Sequence, residues 1–130
     1  MTNAIKLVEC DVNEALHLLH VLEKCDVFGD FEFNRGRPAD PYITMIGSPV
    51  AASYVKSEGG DDYMIVGFGS MKIKLDIGTF RFSKHVTDAR ISIYVRDEKD
   101  DTSFQFDSYR VPKHVIMKAN DYIAPTPSWD

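Results

Sequence analysis

His17 and His20 stand three residues apart in the run VNEALHLLHVLEKC, a spacing that puts two imidazoles on one helical face, where they could share a metal ion. A zinc site needs a third and a fourth ligand, and the surrounding sequence offers neither. The zinc-protease pattern of two histidines four apart around a glutamate is also missing. The pair reads as two imidazoles on a solvated face, and no metal is expected. His85 and His114 each lack a sequence neighbour that would orient a general base. Gly67-Phe68-Gly69-Ser70-Met71-Lys72 has the look of a phosphate loop, but phosphate loops open a helix and this run lies between strand patterns, so a tight turn or bend is expected. The carboxylate-rich runs at 58–62 and 97–101 lack the internal glycine and terminal glutamate of a calcium loop and read as solvated hairpin tips. Cys10, in a strand, and Cys25, at a helix end, read as small buried hydrophobes. No catalytic set and no cofactor site is expected.

The elements that position these residues follow from periodicity. Between residues 63 and 110, Ile73, Leu75 and Ile77 alternate with Lys72, Lys74 and Asp76; Ile91, Ile93 and Val95 alternate with Arg90, Ser92, Tyr94 and Arg96; Phe104 and Phe106 alternate with Gln105 and Asp107. Period-two alternation gives each strand one wet and one dry face, the mark of an antiparallel sheet, and the short breaks leave no room for crossover helices. Before this region, residues 4–10 read as a strand, and Asp11 with Glu14 forms a capping box for a helix over 12–25 whose stripe is Val12, Ala15, Leu16, Leu19 and Leu22. Residues 34–41 form a surface loop, 42–46 and 50–55 are strands separated by the break Gly47-Ser48-Pro49, 113–123 read as a short helix starting at Pro112 or an irregular segment in preference to a strand at 115–117, and 124–130 form an irregular proline-containing tail. The expected fold is α+β, a mostly antiparallel meander of about six to eight strands covered by one N-terminal amphipathic helix, as a single domain over 1–130.

Hydrophobic residues make up 44% of the chain and charged residues 27%, which excludes intrinsic disorder. No apolar run is long enough to cross a bilayer and the first residues lack a basic-then-apolar signal, so a cytoplasmic protein with no membrane partner is expected. Two cysteines are too few for a disulfide scaffold. The net charge of −5 is uneven: residues 1–62 hold five Lys and Arg against eleven Asp and Glu, a balance of −6, and residues 63–130 hold ten against nine, a balance of +1. An acidic chain lacks the broad positive footprint that duplex DNA requires and is suited to meeting a basic protein surface.

Two sets of residues stand out as binding candidates. Glu58, Asp61, Asp62, Asp97, Glu98, Asp100 and Asp101 lie at the acidic tips, and Lys72, Lys74, Arg81, Arg90, Tyr94, Arg96 and Tyr109 lie on the polar sheet face, with Gln105, opposed by Asp76 and Asp107. The leading expectation is a non-enzymatic binding protein that docks on a protein partner and inhibits or regulates it, of the inhibitor, immunity or phage-encoded anti-defence type. Such a partner includes a nucleic-acid enzyme whose phosphate groove the carboxylates would fill. The alternatives are a single-stranded nucleic-acid binder using the basic and tyrosine face, and a small enzyme whose pocket unites two of the histidines. Exposed sheet edges also make a homodimer an expectation.

Overall fold

The computed structural model describes residues 7–34, 43–99 and 102–122. The expected loop at 34–41 is therefore described only at Asn34, and residues 4–6, Asp100, Asp101 and the tail at 124–130 lie outside the described residues. Strand β1 (Val8–Cys10) leads directly into helix α1 (Val12–Lys24), and Asp11 begins that helix by accepting the Glu14 amide on its side chain at 2.8 Å. One face of α1 is buried through Ala15, Leu18, Leu19, Val21 and Leu22. The helix stops in a Schellman arrangement, with the Asp26 amide donating to Glu23 O (3.2 Å), the Val27 amide to Leu22 O (2.9 Å), and Asp26 itself at φ 53°.

Among the described residues seven strands follow: β2 (Phe28–Asn34), β3 (Ile43–Glu58), β4 (Asp61–Phe68), β5 (Met71–Asp76), β6 (Phe80–Val86), β7 (Arg90–Asp97) and β8 (Ser103–Tyr109), before a second helix, α2 (Lys113–Asn120). They form one eight-stranded antiparallel sheet in the order β1-β6-β7-β8-β2-β3-β4-β5. The chain thus draws two meanders, β2 to β5 and β6 to β8, sewn together where β8 pairs with β2 through Asp30↔Asp107 and Phe31↔Phe106. Short turns set the registers. Glu58 and Asp61 flank Gly59 and Gly60, at φ 62° and 88°, and Phe68 and Met71 flank Gly69, at φ 58°.

The inner residues make the core. Ile91, Ile93, Val95, Phe104, Phe106, Phe31, Met64, Val66 and Phe68 are all buried, each phenylalanine contributing about 2–3 kcal/mol relative to exposure. In a flat sheet the three steps from β8 to β4 would separate them by about 14 Å. Phe68 on β4 nevertheless stacks on Phe106 of β8 at 5.1 Å and on Phe31 of β2 at 4.5 Å. The sheet is therefore strongly coiled, its inner faces turned toward one another and its outer faces turned apart. Helix α1 covers the concave side, anchored at one end by Glu14 to Lys84 of β6 (2.6 Å) and at the other by His20 Nε2 donating to Ser53 O of β3 (2.8 Å).

Residues 47–49 do not break the strand, as the sequence pattern suggests. Gly47, at φ 65°, absorbs an extra residue opposite Asp30, whose carboxylate accepts the Gly47 amide at 3.1 Å, and β3 runs on through Pro49 as a bulged strand. A second irregularity between Ala51 and Tyr54 bends β3 again, which lets its two halves pair with β2 and β4 on different courses. Residues 113–120 adopt the helix anticipated for the C-terminal region, begun by Pro112, whose carbonyl accepts the Val115 and Ile116 amides at 3.0 and 3.1 Å.

Candidate functional site

Strand register places one cross-strand row after another on the convex side of β6, β7, β8 and β2. Arg81, Arg96, Ser103 and Asn34 form one row; Ser83, Tyr94, Gln105 and Glu32 the next, extended by Glu9 on β1 and Thr44 on β3; then His85, Ser92, Asp107 and Asp30; and finally Arg90 and Tyr109. At the centre of this surface Asp107 is only 7% exposed, although it stands on the polar side of the sheet. Its Oδ1 accepts from Arg90 Nη2 at 3.0 Å and from the Ser92 hydroxyl, and its Oδ2 accepts from Gln105 Nε2 at 2.8 Å. Arg90 Nε donates to Ser92 Oγ at 2.9 Å, and the guanidinium lies 4.8 Å from the centroid of the Tyr109 ring. The charge-assisted bonds fix Arg90 in place, so the fold itself holds an aromatic–guanidinium platform on this face.

Beside the platform lies exposed apolar surface. Continuing the Asp30↔Asp107 register by two residues brings Phe28 next to Tyr109, a placement supported by the Ser108 hydroxyl donating to Phe28 O at 2.8 Å. Phe28 and Tyr109 are each 55% exposed, and Ile46, thrown outward by the Gly47 bulge, is 82% exposed. Pro49, paired with Phe28, completes the patch. The sequence pattern does not single out Phe28 or Ile46. The signal for Phe28 was the alternation in FGDFEFN, which puts Phe28, Asp30 and Glu32 on one face once the strand is begun at 28; Ile46 depends on the bulge and leaves no such trace.

The structure divides the expected polar-face set in two. Arg81, Arg90, Tyr94, Arg96 and Tyr109 share the surface just described, with Gln105. Lys72 and Lys74 lie on β5, on the outer side of β3 to β5, which the coiling turns away from it. There Lys74 sits 4.3 Å over the Tyr63 ring and 3.2 Å from Glu58, which Lys56 also approaches at 3.6 Å. The carboxylates facing the arginines are also more numerous than Asp76 and Asp107, because Glu9, Asp30 and Glu32 come in on neighbouring strands. The larger surface is mixed in sign rather than basic.

The acidic tips gather at one end of the sheet. Residues 77–79 bridge them, the Ile77 amide donating to Asp62 O (3.1 Å) and the Glu98 amide to Thr79 O (3.3 Å). Glu58, Asp61, Asp62 and Glu98 are exposed there, but several are already engaged: Glu58 by Lys74 and Lys56, Glu98 by Arg81 at 3.0 Å, and Asp62 by the Ser57 hydroxyl. The hydrogen bond from Lys74, reinforced by both lysine charges, holds the Glu58 carboxyl below its ordinary range. Asp97 is not at a solvated tip. It ends β7 as a buried residue and accepts the Lys99 amide at 2.8 Å, which makes it a turn-forming group.

The histidines do not converge. His17 and His20 leave the same helix for different destinations, His17 Nε2 donating to Lys118 O of α2 at 3.0 Å and His20 to β3, so both anchor α1 rather than face bulk water as the sequence pattern suggests. His85 belongs to the convex face opposite Ser92, and His114 is exposed on α2. Cys10 and Cys25 are both free thiols. Burial first, and then the Glu14 charge, push the Cys10 thiol up to about 12, which keeps it protonated and unreactive at neutral pH. Among the described residues, no group of three or more His, Cys, Asp or Glu is placed to hold a metal ion, and no helix is long and apolar enough to cross a membrane.

No family model and no curated protein matches the sequence. Among solved structures the chain is similar to the crystal structure of the Bacillus subtilis YojF protein, with a TM-score of 0.47 and 12% identity over 85% of this chain and 97% of that one.

Proposed function

We propose that this chain is a binding protein that docks on a protein partner through the convex face of β6, β7, β8 and β2, and regulates or blocks that partner by occupying its surface. The observation that carries the reading is the apolar patch of Phe28, Ile46, Pro49 and Tyr109 set against a guanidinium already locked by Asp107. Aromatic and arginine anchors with little conformational freedom left to lose are what protein interfaces concentrate at their centres. Tyr94, Gln105 and Glu32 supply the polar rim. In this reading the exposed carboxylates Glu58, Asp61, Asp62 and Glu98 steer a basic partner from one end of the sheet and contribute mainly to the rate of association.

Affinity capture with the wild-type chain, followed by measured binding of the captured protein, tests this. Phe28→Ala combined with Tyr109→Ala is expected to weaken binding at least tenfold at unchanged folding, and reversal of Glu58, Asp61 and Asp62 to lysine to slow association at low salt. Undiminished affinity in the aromatic double variant would overturn the assignment of the face. Salt-sensitive retention of a single-stranded oligonucleotide, lost on replacing Arg90, Tyr94 and Arg96, would replace the protein partner with a nucleic acid.

A further inference from the structure

We propose that the outer edge of β5 pairs with the same edge of a second copy of this chain, antiparallel about a two-fold axis at Lys74, so that two sheets join into one. This goes beyond the docking reading and uses a different part of the molecule. β5 ends the strand order, and among the described residues no strand pairs with its outer side. Which backbone groups it offers follows from the ladder with β4. The Ile77 amide donates to Asp62 O, in the register that pairs Tyr63 with Asp76 and Met64 with Leu75. Odd-numbered residues therefore spend their amides and carbonyls on β4, and Lys72, Lys74 and Asp76 turn theirs outward.

The side chains then choose among the registers available to this edge. Opposite residues share a face in an antiparallel pair, and unlike charges across it are favourable while like charges are not. With Lys74 opposite its own symmetry mate, Lys72 faces Asp76 of the second copy, and the pair occurs twice. One step away in one direction Lys72 would face Lys74; one step in the other, Asp76 would face a Lys74 already held by Glu58, and Lys72 would face Gly78. Among the described residues Lys72 has no ion-pair or hydrogen-bond partner, and Asp76 uses only Oδ1, accepting the Gly78 amide at 2.9 Å. Lys74 at the axis does not oppose the pairing, because its ammonium is drawn back across β4 to Tyr63 and Glu58. The Asp76 carbonyl is already taken by the Thr79 amide at 3.1 Å, so Lys72 of the second copy meets Asp76 through its side chain, and the ladder bonds across the axis are those of the Lys74 pair. Lysines on an edge strand commonly deter pairing. Here one register alone gives Lys72 an acid to face.

The geometry is tested by single cysteines. In the proposed register the two copies of residue 74 are about 5.5 Å apart between Cα atoms, within disulfide reach. The two copies of residue 72 are four positions out of line, about 14 Å apart. Lys74→Cys is expected to yield a disulfide-linked dimer on mild oxidation and Lys72→Cys to stay uncross-linked, with the wild type treated in parallel as the blank for Cys10 and Cys25. In sedimentation equilibrium the wild-type mass is expected to rise with concentration, Lys72→Glu to remain monomeric, and Lys72→Glu combined with Asp76→Lys to associate again. Equal cross-linking of the two cysteine variants, or a wild-type mass that is monomeric at every concentration, would overturn the proposal.

Discussion

On the convex face of β6 to β8 and β2, the Arg90 and Asp107 side chains are 21% and 10% exposed and are bonded to each other, to Ser92 and to Gln105. On the outer side of β3 to β5, the Lys74 and Glu58 side chains are 47% and 53% exposed and lean together at a similar distance. Both are ion pairs about 3 Å long on the polar side of one sheet. They differ in their surroundings. Where neighbouring side chains exclude water, charges are costly to leave alone and the geometry is enforced; where water screens them, the same contact contributes little. The difference separates a preorganised platform from a water-screened surface, and it is the physical reason for placing the proposed docking site on the first.

Removing one partner from each pair is the most direct way to break this comparison. Asp107→Ala leaves Arg90, Ser92 and Gln105 without their shared acceptor and is expected to cost about 3 kcal/mol in urea denaturation, well above its effect on any loop. A cost below 1 kcal/mol would mean the network is not the rigid element described. Gly29→Ala probes the same region from the strand beside it. A Cβ there would meet Asp107 O at 2.5 Å and Phe106 Cζ at 2.6 Å, so a loss of about 2–3 kcal/mol is expected, together with shifted resonances along β8.

Backbone conformation sharpens the contrast. The β3–β4 turn reaches its positive φ angles with Gly59 and Gly60, while β8 is followed by Arg110, a non-glycine residue at φ 55°. Arg110→Gly is therefore expected to stabilise by about 1 kcal/mol and Gly60→Ala to destabilise by about the same amount, both readable as opposite shifts in thermal midpoint. Equal signs for the two would refute the backbone argument. The smallest effect belongs to the exposed pair. Glu58→Gln should leave stability at neutral pH close to that of the wild type and be insensitive to any substitution on the other face. Because the folded-state Glu58 carboxyl lies below its ordinary range, its small contribution is present above that range and is lost as pH falls through the folded value. A pH titration at low and high salt should show the wild type and Glu58→Gln converging in acid.

Much of the fold was legible because period-two alternation needs no knowledge of partners. The residues assigned inward from Ile91 to Val95 and at Phe104 and Phe106 are buried, and Asp11 marked the start of α1, although the Glu14 carboxylate turns to Lys84 and leaves the expected capping box half formed. The assembly of the surface was less legible. Which wet faces share one surface depends on strand order and coiling, and the separation of Lys72 and Lys74 from Arg90 rests on contacts such as Phe68 with Phe106, which join residues far apart in the chain. Ile46 and Asp30 became visible only through the bulge at Gly47, where a φ angle overrides the breaking tendency of a glycine and a proline.

The seam between β2 and β8 joins Asp30 to Asp107, and everything from β3 to β7 lies between them in sequence. A growing chain that has already folded β2 to β5 must hold one bare strand border until residues 103–109 are synthesised, and must then close a loop of more than 70 residues to cover it. Assembly of this molecule is thus timed by its last strand, and any interruption of translation before that point leaves an adhesive fragment with Phe31 and Phe33 next to an empty place in the sheet.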